Sequence, residues 1–415
     1  MTKGSRSKAS YRFLVVDDDP IAAAAAASIL RGAGHTADIL NNAEGVVERI
    51  AATKPDCVLV DLMMPNVDGY EVCRAIRARP EMNRTKIVIL SMKAYDYDQR
   101  RARELGADGY LIKPVNAESL LREAVALIQD TVQVEYWGVR GTLPVPGPNS
   151  RRYGGNTSCV SLTFPSGAFF IFDAGTGIKA LSDSIMAEGR PRMLAHIFIS
   201  HPHWDHINAL PFFAPLYVPG NEFEILGAPH GDINVRKLVS DQMDGIYFPV
   251  TIREFGARVY FRDLSEGEVE VEGIRVRTKL LNHPGRCLGY RVEYGGRSFS
   301  YVTDHELYPK GHPHYDARYR EELAAFLDST DILVTDTCYS DDEYKKKQGW
   351  GHSSVGEVAD LAALARVKTL HLFHHDPDQS DDDIDAKLAH AQKRLAEHAA
   401  STKVVAPAEG ETYQV

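Results

Sequence analysis

The stretch HPHWDH, residues 201–206, places three histidines and an aspartate in six positions directly after the apolar run AHIFIS. Ligand types this dense on a tight loop point to metal chemistry. Alternate residues diverge there, so His201 and His203 can converge on one ion while Asp205 and His206 face a neighbouring one. Further ligands are then expected at other strand ends, and His283 in LLNHPG, Asp304 in SYVTDHE and His374 or His375 in LHLFHHDP are the candidates. A second, acidic group is dispersed along the first part of the chain. Asp17 and Asp18 end FLVV, Asp61 ends CVLVD, Ser91 ends KIVILS and Lys113 ends YLIKP. Carboxylates gathered in one crevice repel, and a divalent cation relieves the repulsion; oxygen donors favour Mg²⁺.

Both groups need elements that bring distant residues together. Residues 11–130 alternate short β-rich runs with helical patterns, five times over, from YRFLVVD to AESLLREAVALIQD. That rhythm predicts a parallel sheet with helices on both faces, its functional residues at the carboxyl ends of the strands. From about residue 132 the texture becomes strands separated by Gly/Pro-rich turns, with helical patterns near 231–244, 316–328, 354–365 and 381–399. Two packed sheets with helices outside, an αββα layering, are the expected arrangement, and the fold class overall is α/β. The junction, QDTVQV, carries neither Gly nor Pro and predicts a short linker, read as a continuation of the last helix.

Composition sets the bounds. A chain of 415 residues exceeds the size of one core, and the domains are placed at 10–130 and 134–415. No apolar run approaches the roughly 18 residues of a membrane span. The net charge of −10 argues against a nucleic-acid footprint. Five separated cysteines without a CxxC pair fit reduced thiols. The opening MTKGSRSKA is basic without a following apolar segment, so no secretory signal is expected and the location expected is cytoplasmic.

Residues 10–130 resemble the receiver domain of bacterial response regulators over essentially their whole length, which implies a flavodoxin-like (βα)5 fold. The resemblance implies that Asp17, Asp18 and Asp61 bind Mg²⁺ and that Asp61 accepts a phosphoryl group from a histidine kinase or phosphotransfer partner. Ser91 would hydrogen-bond the phosphate, Lys113 would pair with it, Pro114 would follow a cis bond, and Tyr110 is the aromatic switch position. Receivers often pair through their last helices, so a homodimer is expected.

Residues 134–415, with HPHWDH followed in order by His, Asp and His, resemble the metallo-β-lactamase superfamily, in its tRNase Z and phosphodiesterase-like branch. Carried over by position, His201, His203 and His283 hold one ion, Asp205, His206 and His374 the other, and Asp304 bridges; His375 is the alternative to His374. His352 in GWGHSS matches a histidine that contacts the scissile phosphate and protonates the leaving oxygen, and Asp173 in IFDAGTG would orient a ligand imidazole. Asp336 and Tyr339 either line the mouth or are structural, and His305, His312 and His314 are assigned to loops. Two divalent ions, zinc first and otherwise manganese or iron, roughly 3.5–4 Å apart would favour in-line attack on phosphorus, with Asp205 and His352 as the catalytic residues. The extended arm with which tRNase Z grips tRNA is not apparent, which favours a small or cyclic phosphodiester. The expected whole is a response regulator with a metal-dependent hydrolase output, gated at Asp61. The alternatives are a diiron redox or oxygen-responsive signalling module, which the histidine at 203 disfavours because diiron relatives usually carry glutamate there, and a non-catalytic, metal-stabilised signalling adaptor.

Overall fold

The computed structural model describes residues 10–93, 95–129, 131–189 and 192–415; the basic stretch 1–9 lies outside the described residues. The chain divides into two compact units that part in sequence between Val132 and Gln133.

In the first unit, β1 (Arg12–Val16), β2 (Thr36–Leu40), β3 (Cys57–Asp61), β4 (Lys86–Ser91) and β5 (Gly109–Ile112) form one parallel sheet in the order β2-β1-β3-β4-β5. The two-residue period of a strand sends alternate side chains to opposite faces. Phe13 and Val15 join a core with Ala23, Ala27, Leu120 and Ala124. Leu14 and Val16 join the opposite one with Val46, Ile50, Val72 and Ile76. Helices therefore cover both faces, which gives the flavodoxin-like receiver fold. The helix Pro20–Gly32 buries Ala23, Ala26, Ala27 and Leu30, and Asp19 caps it by accepting from the Ile21 and Ala22 amides at 2.8 and 3.3 Å. The helix Ala117–Gln129 ends before β6 begins at Gln133, so the junction is short.

The second unit holds two seven-stranded sheets. One is built from β6 (Gln133–Gly138), β7 (Cys159–Thr163), β8 (Phe169–Phe172), β9 (Leu194–Ile199), β10 (Glu222–Gly227) and β11 (Arg258–Asp263). The other is built from β12 (Gly267–Val271), β13 (Ile274–Leu280), β14 (Leu288–Tyr294), β15 (Arg297–Val302), β16 (Ile332–Asp336), β17 (Thr369–Phe373) and β18 (Lys403–Val405). The last strand, β19 (Thr412–Gln414), returns to pair antiparallel with β6 and completes the first sheet, ordered β11-β10-β9-β8-β7-β6-β19. The second sheet runs β12 to β18 in sequence order.

Aromatic rings fill the space between the sheets. Phe172 stacks on Phe198 at 5.2 Å within the first sheet and meets Tyr290, Phe299 and Tyr301 of the second at 5.4–5.7 Å. Such pairs add about 0.5–1.5 kcal/mol each beyond the burial of their area. Outside lie the helices: Ile178–Glu188 and Val235–Gln242 on the first sheet, Ala317–Phe326, Val355–Leu364 and Asp381–Glu397 on the second. The result is the expected αββα sandwich of the metallo-β-lactamase fold. Each sheet has a parallel half, β8 to β11 in one and β15 to β18 in the other. At the carboxyl ends of these parallel strands stand Asp173, His201, Asp304, Asp336 and His374. Among the described residues no helix is long and apolar enough to cross a membrane.

Candidate functional site

The loop after β9 is fixed from below by Asp173, which follows β8 and holds a left-handed backbone, φ 60°. Fully buried, its carboxylate accepts from the Ser200 amide (2.7 Å), the Ser200 hydroxyl (2.8 Å), the Tyr301 hydroxyl (2.8 Å) and His206 Nδ1 (2.7 Å). A proton held at Nδ1 leaves the lone pair on His206 Nε2. His201 and His283 are oriented in the same way: His201 Nδ1 lies 3.1 Å from the Ser200 hydroxyl, and His283 Nδ1 lies 2.8 Å from the Gly351 carbonyl.

Two groups of ligand atoms result, sharing Asp304. In one, His203 Nδ1 stands 2.8 Å from His201 Nε2 and 3.1 Å from His283 Nε2, and Asp304 Oδ2 lies 3.5 and 3.7 Å from those two Nε2 atoms. In the other, Asp205 Oδ2, His206 Nε2 and His374 Nε2 are 3.0–3.2 Å apart, and Asp304 Oδ1 lies 3.2 Å from His206 and 3.1 Å from His374. Ligand atoms around a tetrahedral zinc ion, about 2.0–2.1 Å from it, are separated by about 3.3 Å. Two sets of nitrogen and oxygen donors at that spacing, with one carboxylate turned an oxygen to each, fit a pair of divalent ions.

Charge leads to the same fit. Burial acts to raise the Asp304 carboxyl, and the imidazoles of His374, His206 and His201 overcome it and hold the group well below the ordinary carboxylate range. Burial pushes His201 well below its usual value. For His206 burial acts downward too, but Asp205, Asp304 and Asp173 carry it well above. Three buried carboxylates thus demand positive charge in their midst, which protons on imidazole or bound cations can supply.

His374 rather than His375 joins the second group. Its backbone is left-handed, φ 56°, and its ring stacks between His206 and His352 at 5.2 and 5.0 Å. A Cβ on Gly141 would stand 2.1 Å from its Cε1, so only glycine fits there. His375 turns instead to Lys387, whose Nζ is 2.9 Å from its Nδ1. The next residue after Gly141, Thr142, donates its amide to Asp205 Oδ2 at 2.7 Å.

His352 Nδ1 lies 2.8 Å from Asp336 Oδ2, and its ring stands 5.3 Å from that of His283. Burial works downward on His352, but Asp336 at the end of β16 prevails and the imidazole is raised to about 9. Asp336 is therefore the partner of His352, while Tyr339 meets that ring edge-on at 5.9 Å. Three supports were not foreseen: Gly141, Thr142 and Glu306. The Glu306 carboxylate, 2% exposed, accepts from the Gly349 and Gly351 amides and the Tyr344 hydroxyl, each at 2.8 Å. It thereby fixes the segment that carries His352 and the carbonyl facing His283. His305 lies in a loop but is buried, its Nδ1 3.0 Å from the Thr303 carbonyl. His312 and His314 flank Tyr308 in another loop, at 4.5 and 5.4 Å. Above the ligands opens a pocket of about 470 Å³ lined by His203, Asp205, His283, Asp304 and His352, together with Thr142, two prolines, Trp204 and Trp350.

In the first unit, Lys113 reaches across the strand ends. Its ammonium donates to Asp17 Oδ2 at 2.8 Å and to Asp61 Oδ1. Burial lowers the lysine and these two carboxylates raise it, with a net upward shift. Asp61 Oδ2 also accepts from the Met63 amide at 2.7 Å. Gly69 lies so close that a Cβ there would meet the Asp61 carbonyl oxygen at 2.6 Å. Asp18 is exposed. Ser91 is buried, its hydroxyl accepting from the Lys93 amide at 3.0 Å, and the half-buried Tyr110 donates its hydroxyl to the Lys93 carbonyl at 2.9 Å. The Lys113–Pro114 bond is cis.

Residues 13–125 match the response regulator receiver domain family, and residues 169–375 match the beta-lactamase superfamily domain. The chain is 33% identical to Protein PilG of Pseudomonas aeruginosa over 112 residues, 26% of this chain and 82% of that protein. It is 32% identical over 114 residues to a gliding motility regulatory protein of Myxococcus xanthus, 28% of this chain but 15% of that much longer protein. The fold of the second unit is similar to the metallo-β-lactamase fold protein YhfI from Bacillus subtilis, at 17% identity and a TM-score of 0.51, covering 69% of this chain and 100% of that one. The chain belongs to the response regulator receiver family, and its second unit carries the match to the beta-lactamase superfamily domain.

Proposed function

We propose that the chain is a response regulator whose output is a dinuclear metal-dependent hydrolase, a phosphodiesterase for small or cyclic phosphodiesters, gated by phosphorylation of Asp61. The observation that carries the reading is Asp304, whose two oxygens address two separate ligand sets beside a His352–Asp336 pair. Two divalent ions, zinc first, held by His201, His203, His283, Asp304, Asp205, His206 and His374, would activate water and stabilise charge on phosphoryl oxygens. The chain's own residues do the rest. Asp205, on the pocket wall and tethered by the Thr142 amide, accepts the proton of the attacking water as the new P–O bond forms. His352, held at Nδ1 by Asp336, gives its Nε2 proton to the leaving oxygen as the old P–O bond breaks.

On the receiver side a histidine kinase or phosphotransfer protein would donate the phosphoryl group, with Mg²⁺ held by Asp17, Asp18 and Asp61. The Lys113 bridge supports this, since an ammonium already balancing Asp61 is placed to follow a phosphate there. Metal analysis of purified protein, run beside a phosphodiester panel, tests the hydrolase. Turnover should fall at least a hundredfold in Asp205→Ala and in His352→Ala. A fully metal-loaded protein without turnover of any diester overturns the reading. Equal turnover in wild type and Asp61→Ala under acetyl phosphate overturns the gating.

A further inference from the structure

Two of the chain's three tryptophans line the pocket above the ligand groups, and both are exposed, Trp204 at 82% and Trp350 at 62%. Neither belongs to a loose loop. Trp204 sits between His203 and Asp205, at the start of the helical turn Trp204–Ile207, whose Asn208 amide closes on the Trp204 carbonyl at 2.8 Å. Trp350 is flanked by Gly349 and Gly351, both left-handed at φ 82° and 87°, and one buried carboxylate, Glu306, accepts from both glycine amides at 2.8 Å. Lys347 Nζ stands 5.9 Å from the Trp350 ring centroid while paired with Asp376 at 2.7 Å. The fold thus commits a buried carboxylate and two glycines in a conformation other residues avoid to holding a large apolar ring in water. Burial is the ordinary fate of tryptophan, and an exposed one held at a pocket is a binding group.

From this placement we infer that Trp204 and Trp350 are specificity residues that stack the planar base of a nucleotide, so that the substrate is a nucleoside-bearing phosphodiester rather than an aliphatic one. The inference deepens the hydrolase reading and rests on it for the reaction, though not for the binding. An indole offers every base the same π face, so the pair selects for a base without selecting which one. The phosphate would lie over His203, Asp205 and His283, the residues that share the pocket with the indoles.

Binding separates the inference from the reaction. Adenosine 5′-monophosphate and ribose 5-phosphate are titrated into the metal-loaded full chain, with tryptophan fluorescence and calorimetry as readouts. Adenosine monophosphate should quench fluorescence and bind about tenfold more tightly than ribose 5-phosphate, the gain expected from one stacked base. Trp350→Ala should remove most of that preference and Trp350→Phe, which keeps a π face, should retain most of it. Equal affinity of the wild type for the two probes, no detectable binding of adenosine monophosphate, or an equal loss for both probes in Trp350→Ala and Trp350→Phe would overturn the proposal. If the base preference holds and no cyclic nucleotide or other diester is turned over, the hydrolase reading fails while the stacking site stands.

Discussion

In the proposed mechanism a single hydrogen bond, between His352 Nδ1 and Asp336 Oδ2, decides whether the pocket has a proton to give. Asp336 raises the imidazole, to about 9, and so favours its protonated form in the neutral range. Asp336→Asn removes the opposing charge, so the folded value should drop towards the ordinary 6.5. The alkaline limb of kcat should move to lower pH by about two units, with a roughly tenfold loss at pH 8. A pH–rate profile with an unmoved limb contradicts the role of Asp336. The contiguous ligands of HPHWDH and the strand-end residues His283, Asp304 and His374 were legible because their types and positions are rare together. Asp336 was legible only as a strand-end carboxylate: its partner comes 16 residues later, just before the helix Val355–Leu364, and nothing local announces the meeting.

At the scale of elements, the segment before His352 depends on Glu306. Glutamine there keeps the shape but presents one carbonyl oxygen to three donors and adds an NH₂ with no acceptor. Glu306→Gln should cost about 2 kcal/mol in stability, read as a shift of the denaturant midpoint at constant slope. No shift would mean that the loop stands without it. On β9 and β10, His196 and Glu224 face each other across the strands, Nδ1 to Oε2 at 3.1 Å, with Glu272 3.6 Å from Nε2. Burial lowers this histidine, yet the two glutamates raise it on balance. The stabilisation is therefore complete below the unfolded value near 6.5 and is lost as pH rises through the raised folded value. Urea midpoints of wild type and His196→Gln should differ most below pH 6.5 and converge as pH rises through the raised folded value; a pH-independent difference contradicts the pairing. Most strands and four helices of the second unit could be read from periodicity. The helix Ile178–Glu188 gives a weak signal although Ile178, Leu181 and Ile185 carry its stripe, because it starts abruptly from a glycine-rich turn. The pairing of β19 with β6 joins residues nearly 280 apart in sequence, and short strands of three residues carry no periodic signal.

At the scale of the molecule, two strand-end pockets occupy one chain: a carboxylate pair held by Lys113, and a largely buried ligand array built from both sheets of the sandwich. Both fold classes were legible from the alternation of elements. The Gly141–Thr142 support was not, since a Gly/Pro-rich stretch reads as a turn until the ring of His374 is seen against it. The central claim, that Asp304 serves two ions at once, is tested most directly by counting metal per chain in wild type and Asp304→Ala by mass spectrometry of the desalted proteins. Two equivalents in the wild type, falling to one or none in the variant, are the expected result. One equivalent in both proteins, or two retained without Asp304, would contradict it.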